Sequence, residues 1–229
     1  MSKPGFHRVF FFWGFAALCL LGLGGCSASS TAVWEVVGES WRPADKVAQA
    51  TLDPRFRYLR VDTTRTHTLM VLGYVDGLPD RLGADEVWYS ASKEVLRLRN
   101  GRVSGASGLT VEWRDVRFSA IPSWRSALER PSGASYQRWR DVMPGQLTGI
   151  KDTVSIRATQ PPERLVSDFQ PASHLQWFEE SVVSAPSSAR LPVARYAVDL
   201  SGRGERVVYS EQCLSVDLCF ALRPIAQGS

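Results

Sequence analysis

Few residues in this chain carry the side chains that acid–base chemistry needs. The 229-residue sequence contains three histidines, of which His67 and His174 lie beyond residue 25. Glu179 and Glu180 follow His174 closely, and an imidazole beside two carboxylates is suited to general acid–base catalysis. Lone histidines and a solvated glutamate pair are far commoner than catalytic ones. We therefore expect no catalytic residue and a protein that is not an enzyme.

The glycine- and serine-rich stretch RLRNGRVSGASGL, residues 97–109, is a second candidate for chemistry. No lysine follows its glycines as a P-loop requires, and neither serine has the flanking glycines of a nucleophile elbow. Asn100-Gly101 lies between two strand-like runs and predicts a two-residue hairpin turn with positive φ. Gly105 and Gly108 are expected to allow a bulge or bend before the next strand. The stretch therefore predicts part of a sheet.

Acidic and sulfur side chains do not form a metal-binding pattern. Asp76, Asp80, Asp85 and Glu86 lack the spacing of a calcium loop and are expected to cap bends. Two cysteines without a nearby histidine provide too few ligands for zinc. We expect neither a metal nor a cofactor.

Aromatic residues and arginines alternate between residues 113 and 140. The candidate glycan-binding residues are Trp113, Arg114, Trp124, Arg125, Tyr136, Arg138, Trp139 and Arg140. Arg117 and Phe118 continue the pattern. Sugars stack on aromatic faces, and the arginine fork binds carboxylates of acidic polysaccharides. The alternative is that the tryptophans fill the core and the arginines solubilise strand edges.

Residues 1–25 have the features of a secretory signal. Lys3 and Arg8 provide positive charge ahead of the apolar run Val9–Leu23. That run is too short for a resident transmembrane helix, so it is typical of a signal-peptide core.

The signal ends in Leu23-Gly24-Gly25-Cys26, which resembles a bacterial lipobox. This resemblance implies lipidation of Cys26, removal of the preceding peptide and acylation of the new amino terminus. Ser27 stands where an inner-membrane retention signal carries aspartate, which implies the outer membrane. The alternative is an ordinary signal peptide with an incidental cysteine.

The mature chain is long enough for one large domain. We expect residues 26–33 to be a lipidated tether and 34–229 a single β-rich domain, or one with a small satellite around 130–190. The formal net charge is +4, and two basic residues lie in the signal. Such a small charge, together with export, argues against nucleic-acid binding.

Cys213 and Cys219 remain in the mature chain, in an oxidising compartment where pairing is the default. Extended chain would separate them by about 20 Å, whereas a disulfide needs Cα atoms within about 7 Å. A disulfide is therefore possible if the chain reverses across Leu214–Leu218.

Periodicity predicts a mostly β protein. Trp34, Val37 and Trp41 have helical spacing, which predicts an N-terminal helical segment. From Phe56 onward, short β-branched and aromatic runs separated by turn residues predict antiparallel sheets that form a barrel or a sandwich-like body.

The second half of the chain predicts fewer strands. Residues 160–193 are rich in proline and serine and predict a surface excursion. A short helix within it would carry Leu175, Phe178 and Val182 on one face. RYAVDL and RVVYS around SGRGE predict a hairpin, and CFALRP predicts a last strand.

The segments VLGYVDG and DEVWYSASKEVLRLRNGRVSGASGL resemble the central part of the group 4 capsule lipoprotein family of GfcB/YjbF type. Residues 56–113 match best, and the carboxy-terminal segments YAVDL and VVYSEQ resemble the family more weakly. The resemblance implies a mostly β outer-membrane lipoprotein encoded with exopolysaccharide or capsule export genes. It provides no catalytic motif.

These observations predict a non-catalytic accessory in surface polysaccharide secretion or assembly, anchored by lipid in the outer membrane and facing the periplasm. It would contact the polymer or another envelope secretion protein. The alternative is a periplasmic glycan-modifying enzyme, and joint substitution of His67, Glu179 and Glu180 distinguishes the two.

Overall fold

The computed structural model describes residues 52–64, 66–77, 83–184 and 190–225. The predicted N-terminal helical segment, Cys26 and Asp80 lie outside these ranges. The elements are β1 Tyr58–Asp62, β2 His67–Asp76, β3 Asp85–Ser90, β4 Val95–Arg99, β5 Arg102–Ser107, β6 Glu112–Phe118, α1 Trp124–Leu128, β7 Ala134–Met143, β8 Leu147–Thr159, β9 Gln176–Ser184, β10 Ala194–Asp199, β11 Arg206–Cys213 and β12 Cys219–Ile225.

The strands form a closed antiparallel barrel. Each strand pairs with its neighbours in sequence, and β1 pairs with β12 to close the wall. Closure begins at Tyr58 opposite Ile225 and continues to Asp62 opposite Ala221. The prediction of a mostly β protein with antiparallel sheets is confirmed, and of the two predicted architectures, a barrel or a sandwich-like body, the structure has the barrel. Residues 130–190, where a satellite was considered, contribute β7, β8 and β9 to the same wall.

The turn predicted at Asn100-Gly101 is present in the structure. Asn100 and Gly101 have φ of 51° and 78°, which confirms the positive-φ turn between β4 and β5. The hairpin of β10 with β11 and the last strand β12 are also confirmed.

The prediction of a short helix over Leu175, Phe178 and Val182 is wrong, because Gln176–Ser184 is strand β9. Phe178 and Val182 share a face through the two-residue period of a strand and join the main core. Leu175 precedes the strand and packs with Trp177 in a separate cluster. Strand β9 is covered on both faces, so its apolar residues do not alternate with polar ones. This is why their spacing also fitted a helix.

The main core fills the barrel interior, and the segment between β8 and β9 covers part of the outer wall. In the interior, Trp124 of α1 packs against Phe178 and Tyr196, with ring centroids 5.0 and 4.9 Å apart. On the outside, Phe169 stacks on Tyr209 at 4.7 Å. No helix in the described ranges has the length and apolar character needed to cross a membrane.

Helix α1 is held at one end of the barrel by the β10–β11 hairpin. The Ser123 side chain accepts a hydrogen bond from the Ser126 N–H and caps the helix. The carboxylate of Glu205 accepts from the backbone N–H groups of Trp124 and Arg125, at 2.8 and 2.9 Å. A carboxylate at this position satisfies donors that have no partner within the helix.

Candidate functional site

A buried ion pair in the barrel interior uses one of the glutamates considered for catalysis. Arg102 Nε donates to Glu180 Oε1 at 2.7 Å, and both side chains are 3% exposed. The hydroxyls of Tyr136 and Tyr196 donate to the other oxygen of Glu180, at 3.1 and 3.0 Å. The guanidinium lies 3.7 Å from the centroid of the Trp124 ring. Burial, followed by the charge of Glu180, raises the pKa of both tyrosines above the usual range.

A second interior cluster contains further candidate residues. Arg138 Nη2 and Arg140 Nε each donate to Asp152 Oδ2 at 2.7 Å. The two guanidinium groups lie 4.5 and 4.7 Å from the ring centroid of Trp113, whose indole N–H donates to the Leu214 carbonyl at 3.0 Å. These contacts explain how two like charges are accommodated around one buried carboxylate.

Five of the eight candidate glycan-binding residues are therefore buried. They are Trp113, Trp124, Tyr136, Arg138 and Arg140. For Trp113 and Trp124, this agrees with the alternative that the tryptophans fill the core. For the arginines the same alternative is wrong, because Arg138 and Arg140 are internal and do not solubilise a strand edge.

Trp139 faces the other way, onto the outer wall. Arg117 of β6 and Lys151 of β8 are its direct partners on the neighbouring strands. The Lys151 ammonium lies 5.7 Å from the Trp139 ring centroid. Arg117 is 63% exposed and lies 3.3 Å from the Asp115 carboxylate. We call Arg117, Trp139 and Lys151 the outer platform. A partly exposed indole between two cations can stack on a sugar ring and attract an anionic group.

The remaining candidates divide between the platform side and the end of the barrel. Arg114 is exposed and pairs with Glu112 at 2.6 Å, one residue row away from the platform. Arg125 donates instead to the Leu200 carbonyl at 2.6 Å and fixes α1 to the β10–β11 hairpin. Sequence analysis did not identify Lys151. It becomes recognisable only once β8 is paired with β7, which places Lys151 directly opposite Trp139.

The histidines and glutamates considered for acid–base chemistry are not brought together. His67 Nδ1 lies 2.7 Å from Asp62 Oδ1 on the outer wall. His174 lies 3.9 Å from the Asp199 carboxylate. Glu179 faces outward toward Arg157 at 2.7 Å, whereas Glu180 points inward. Strand geometry separates these two neighbours because successive side chains alternate in direction.

The acidic residues near the β2–β3 connection have arginine partners. Asp76 pairs with Arg97 at 2.8 Å, and Asp85 pairs with Arg99 at 2.9 Å. Within the described part of the chain, no group of three or more histidine, cysteine or acidic side chains is arranged to hold a metal ion.

The two carboxy-terminal cysteines lie opposite each other at the start of the β11–β12 connection. Cys213 and Cys219 are joined by a disulfide, with Cα atoms 4.0 Å apart. The chain reverses between them, and the Leu214 N–H donates to the Leu218 carbonyl at 2.9 Å.

Comparison with protein families gives one match over most of the chain. The family model described as "Group 4 capsule polysaccharide lipoprotein gfcB, YjbF" matches residues 41–219. The match includes residues 130–190, for which the sequence alone offered no resemblance. Comparison with curated proteins finds no match.

A solved structure has a similar fold. The crystal structure of the hypothetical lipoprotein YmcC from Escherichia coli (K12) superposes with a TM-score of 0.56. The alignment covers 76% of this chain and 87% of that chain at 18% sequence identity. At this identity the similarity concerns the fold.

Proposed function

Because this chain belongs to the group 4 capsule polysaccharide lipoprotein family, we propose that it is a non-catalytic accessory in the secretion or assembly of a capsule or exopolysaccharide. It is anchored in the outer membrane through a lipid on Cys26, faces the periplasm, and contacts the polymer directly. The observation that carries this proposal is the outer platform, where Trp139 lies between Arg117 and Lys151 on paired strands.

The chemistry of the outer platform suits a surface polysaccharide. An indole offers a large rigid face at low cost in conformational entropy, and the flanking cations favour any carboxylate on the polymer. A rigid sheet holds the three side chains in register, because residues directly opposite on antiparallel strands are close neighbours. Contact on an open face suits a long polymer, which does not have to enter a closed pocket.

An accessory role also agrees with how the candidate acid–base residues are used. Glu180 is held in the buried pair with Arg102, and Glu179 pairs with Arg157 on the outer wall. His174 lies beside Asp199. Their arrangement therefore offers no observation that favours the glycan-modifying alternative.

The proposal is tested by binding and secretion together. Trp139→Ala is expected to weaken binding of the purified mature protein to the polysaccharide of the producing strain about two- to tenfold, the usual worth of an aromatic contact. Arg117→Ala should also weaken binding. Arg157→Ala is the matched control, since Arg157 is another exposed, ion-paired arginine on the outer wall, 74% exposed.

Calorimetric titration measures the affinity, and surface polysaccharide is quantified in a strain carrying each variant. If Trp139→Ala and Arg117→Ala bind as tightly as the wild type while remaining folded, contact through the outer platform is wrong.

A further inference from the structure

The pairing between β5 and β6 is the shortest in the barrel wall that the structure describes. In the described chain, these two strands align at one residue pair, Ala106 with Trp113. On its other side, β6 departs from regular pairing with β7 between Arg114 and Arg117. Asp115, inside this irregularity, has a left-handed φ of 44°. Bulges of this kind bend a strand and redirect its side chains.

A cleft of about 360 Å³ lies beside this short pairing, and we call it the seam cleft. Its volume is at the lower end of the range for small-molecule sites, about 300–1,000 Å³. Its polar lining consists of Asp85, Arg97, Ser104, Ser107, Arg114 and Asp115. Strand β5 is also held from β11 by Gln212, whose amide oxygen accepts from the Val103 N–H at 2.9 Å and whose amide nitrogen donates to the Gly101 carbonyl at 2.8 Å.

The seam cleft is balanced in charge. Its lining includes two guanidinium groups and two carboxylates, and these have ion-pair partners. Arg97 pairs with Asp76 at 2.8 Å, and Arg114 pairs with Glu112 at 2.6 Å. Paired charges hold their side chains in place and still leave N–H donors and oxygen acceptors for a ligand. A balanced set of donors and acceptors matches hydroxyl groups, which donate and accept, better than it matches an ion.

The seam cleft and the outer platform share one continuous surface. Arg114 and Asp115 form the β6 side of the cleft, and Arg117 on the same strand belongs to the outer platform opposite Trp139. Strands β5 and β7 are separated by β6 alone, which corresponds to about 10 Å across a regularly paired sheet. One extended polymer can therefore reach both.

We infer that the seam cleft binds an uncharged, hydroxyl-rich sugar unit of the same polysaccharide chain that stacks on Trp139. This inference rests on the proposed function and adds to it a second contact and a ligand class. Uncharged units occupy the cleft, and an acidic unit, where the polymer has one, lies beside Lys151. Longer oligosaccharides that span both sites bind more tightly than short ones that reach only the platform.

The test fills the seam cleft without altering the outer platform. Ser107→Tyr places a ring in the cleft, and Ser155→Tyr makes the same change at an exposed outward position on β8. The probes are oligosaccharides from partial hydrolysis of the producing strain's polysaccharide, separated by length, with and without chemical reduction of their carboxyl groups. Thermal melts verify that each variant is folded, and Arg114→Ala provides a second variant that removes a donor from the cleft rim.

We expect Ser107→Tyr to weaken binding of long oligosaccharides about tenfold, equivalent to one or two lost hydrogen bonds. Binding of the shortest fragments should be unchanged, and carboxyl reduction should not alter the loss. Ser155→Tyr should bind as the wild type does.

If Trp139→Ala weakens binding while folded Ser107→Tyr and Arg114→Ala do not, the seam cleft is not a sugar site and the proposed function stands. If the effect of Ser107→Tyr disappears on carboxyl reduction, the cleft binds acidic units and the stated ligand class is wrong. If the wild type binds no oligosaccharide, contact with the polymer itself is wrong.

Discussion

Two neighbouring glutamates on β9 have opposite environments. Glu180 is buried with Arg102, Tyr136 and Tyr196, whereas Glu179 lies on the outer wall, 16% exposed, beside the largely exposed Arg157. Removing one partner of a buried ion pair leaves an uncompensated charge, which typically destabilises a protein by about 3–5 kcal/mol. Exposed ion pairs contribute about 0–1 kcal/mol.

Glu180→Ala is therefore expected to lower the free energy of unfolding by about 3–5 kcal/mol, and Glu179→Ala by less, because its partner Arg157 is largely exposed. Urea denaturation of both variants measures the difference. A Glu180→Ala protein that is as stable as the wild type but no longer supports secretion would favour the enzyme alternative.

Individual residues also show how far the sequence could predict the candidate site. In YQRWR, the two-residue period of a strand separates Tyr136, Arg138 and Arg140 from Trp139. The period does not reveal which face is internal. That depends on Glu180, 44 residues from Tyr136, and on Asp152, 14 residues from Arg138. The sequence therefore identified Trp139 as a candidate but grouped it with residues that are buried.

At the scale of elements, the Asn100-Gly101 turn was predictable because its chemistry is local. Both residues have positive φ, and an added Cβ on Gly101 would lie 2.5 Å from Val207 on β11. Gly101→Val is expected to destabilise the protein by about 1–3 kcal/mol through backbone strain alone, and the clash adds to this loss.

Gly204→Val is the matched control for this prediction. Gly204 lies in the β10–β11 hairpin, and no atom lies within 4 Å of an added Cβ there. Thermal melts should therefore show a large loss for Gly101→Val and a small one for Gly204→Val. Equal stability of the two variants would contradict the hairpin interpretation of the glycine-rich stretch.

Strand β9 was not predictable in the same way, because its apolar residues lie on both faces. Phe178 contributes to the main core and Trp177 to the outer cluster under residues 160–175. Coverage of the outer face by the loop that directly precedes β9 removes the alternation that normally identifies a strand. The short length of the segment and its valines were the remaining indications of a strand.

The β11–β12 hairpin provides a prediction about redox state. The loop between Cys213 and Cys219 is short, so the chain-entropy model gives its disulfide about 2 kcal/mol of stabilisation. Thiol labelling of the denatured, unreduced mature protein should detect no free cysteine. Reduction should lower the free energy of unfolding by that amount, and a Cys213→Ser/Cys219→Ser variant should be insensitive to reductant. Two labelled thiols before reduction would refute the pairing.

At the scale of the whole molecule, barrel closure was beyond sequence analysis. β1 pairs with β12 across almost the entire described chain, from Tyr58 to Ile225. Contacts of such separation leave no local pattern in the sequence, so a barrel and a sandwich remained equal alternatives. The closed wall explains how the outer platform and the seam cleft come to share one surface, since both depend on the continuous order of β4 to β8.

The proposed lipid anchor determines which membrane carries this surface. Leu23-Gly24-Gly25-Cys26 ends the predicted signal peptide, and Cys26 lies outside the described residues. Several acyl chains at one terminus give an effectively permanent attachment, because each buried methylene contributes about 0.8 kcal/mol. Cys26→Ser removes the sulfur that the proposed lipidation requires, so the precursor is expected to remain unprocessed in the inner membrane. Intact mass and membrane fractionation measure both properties, with Ser29→Ala as the matched control. Normal processing and outer-membrane recovery of Cys26→Ser would refute the lipid anchor.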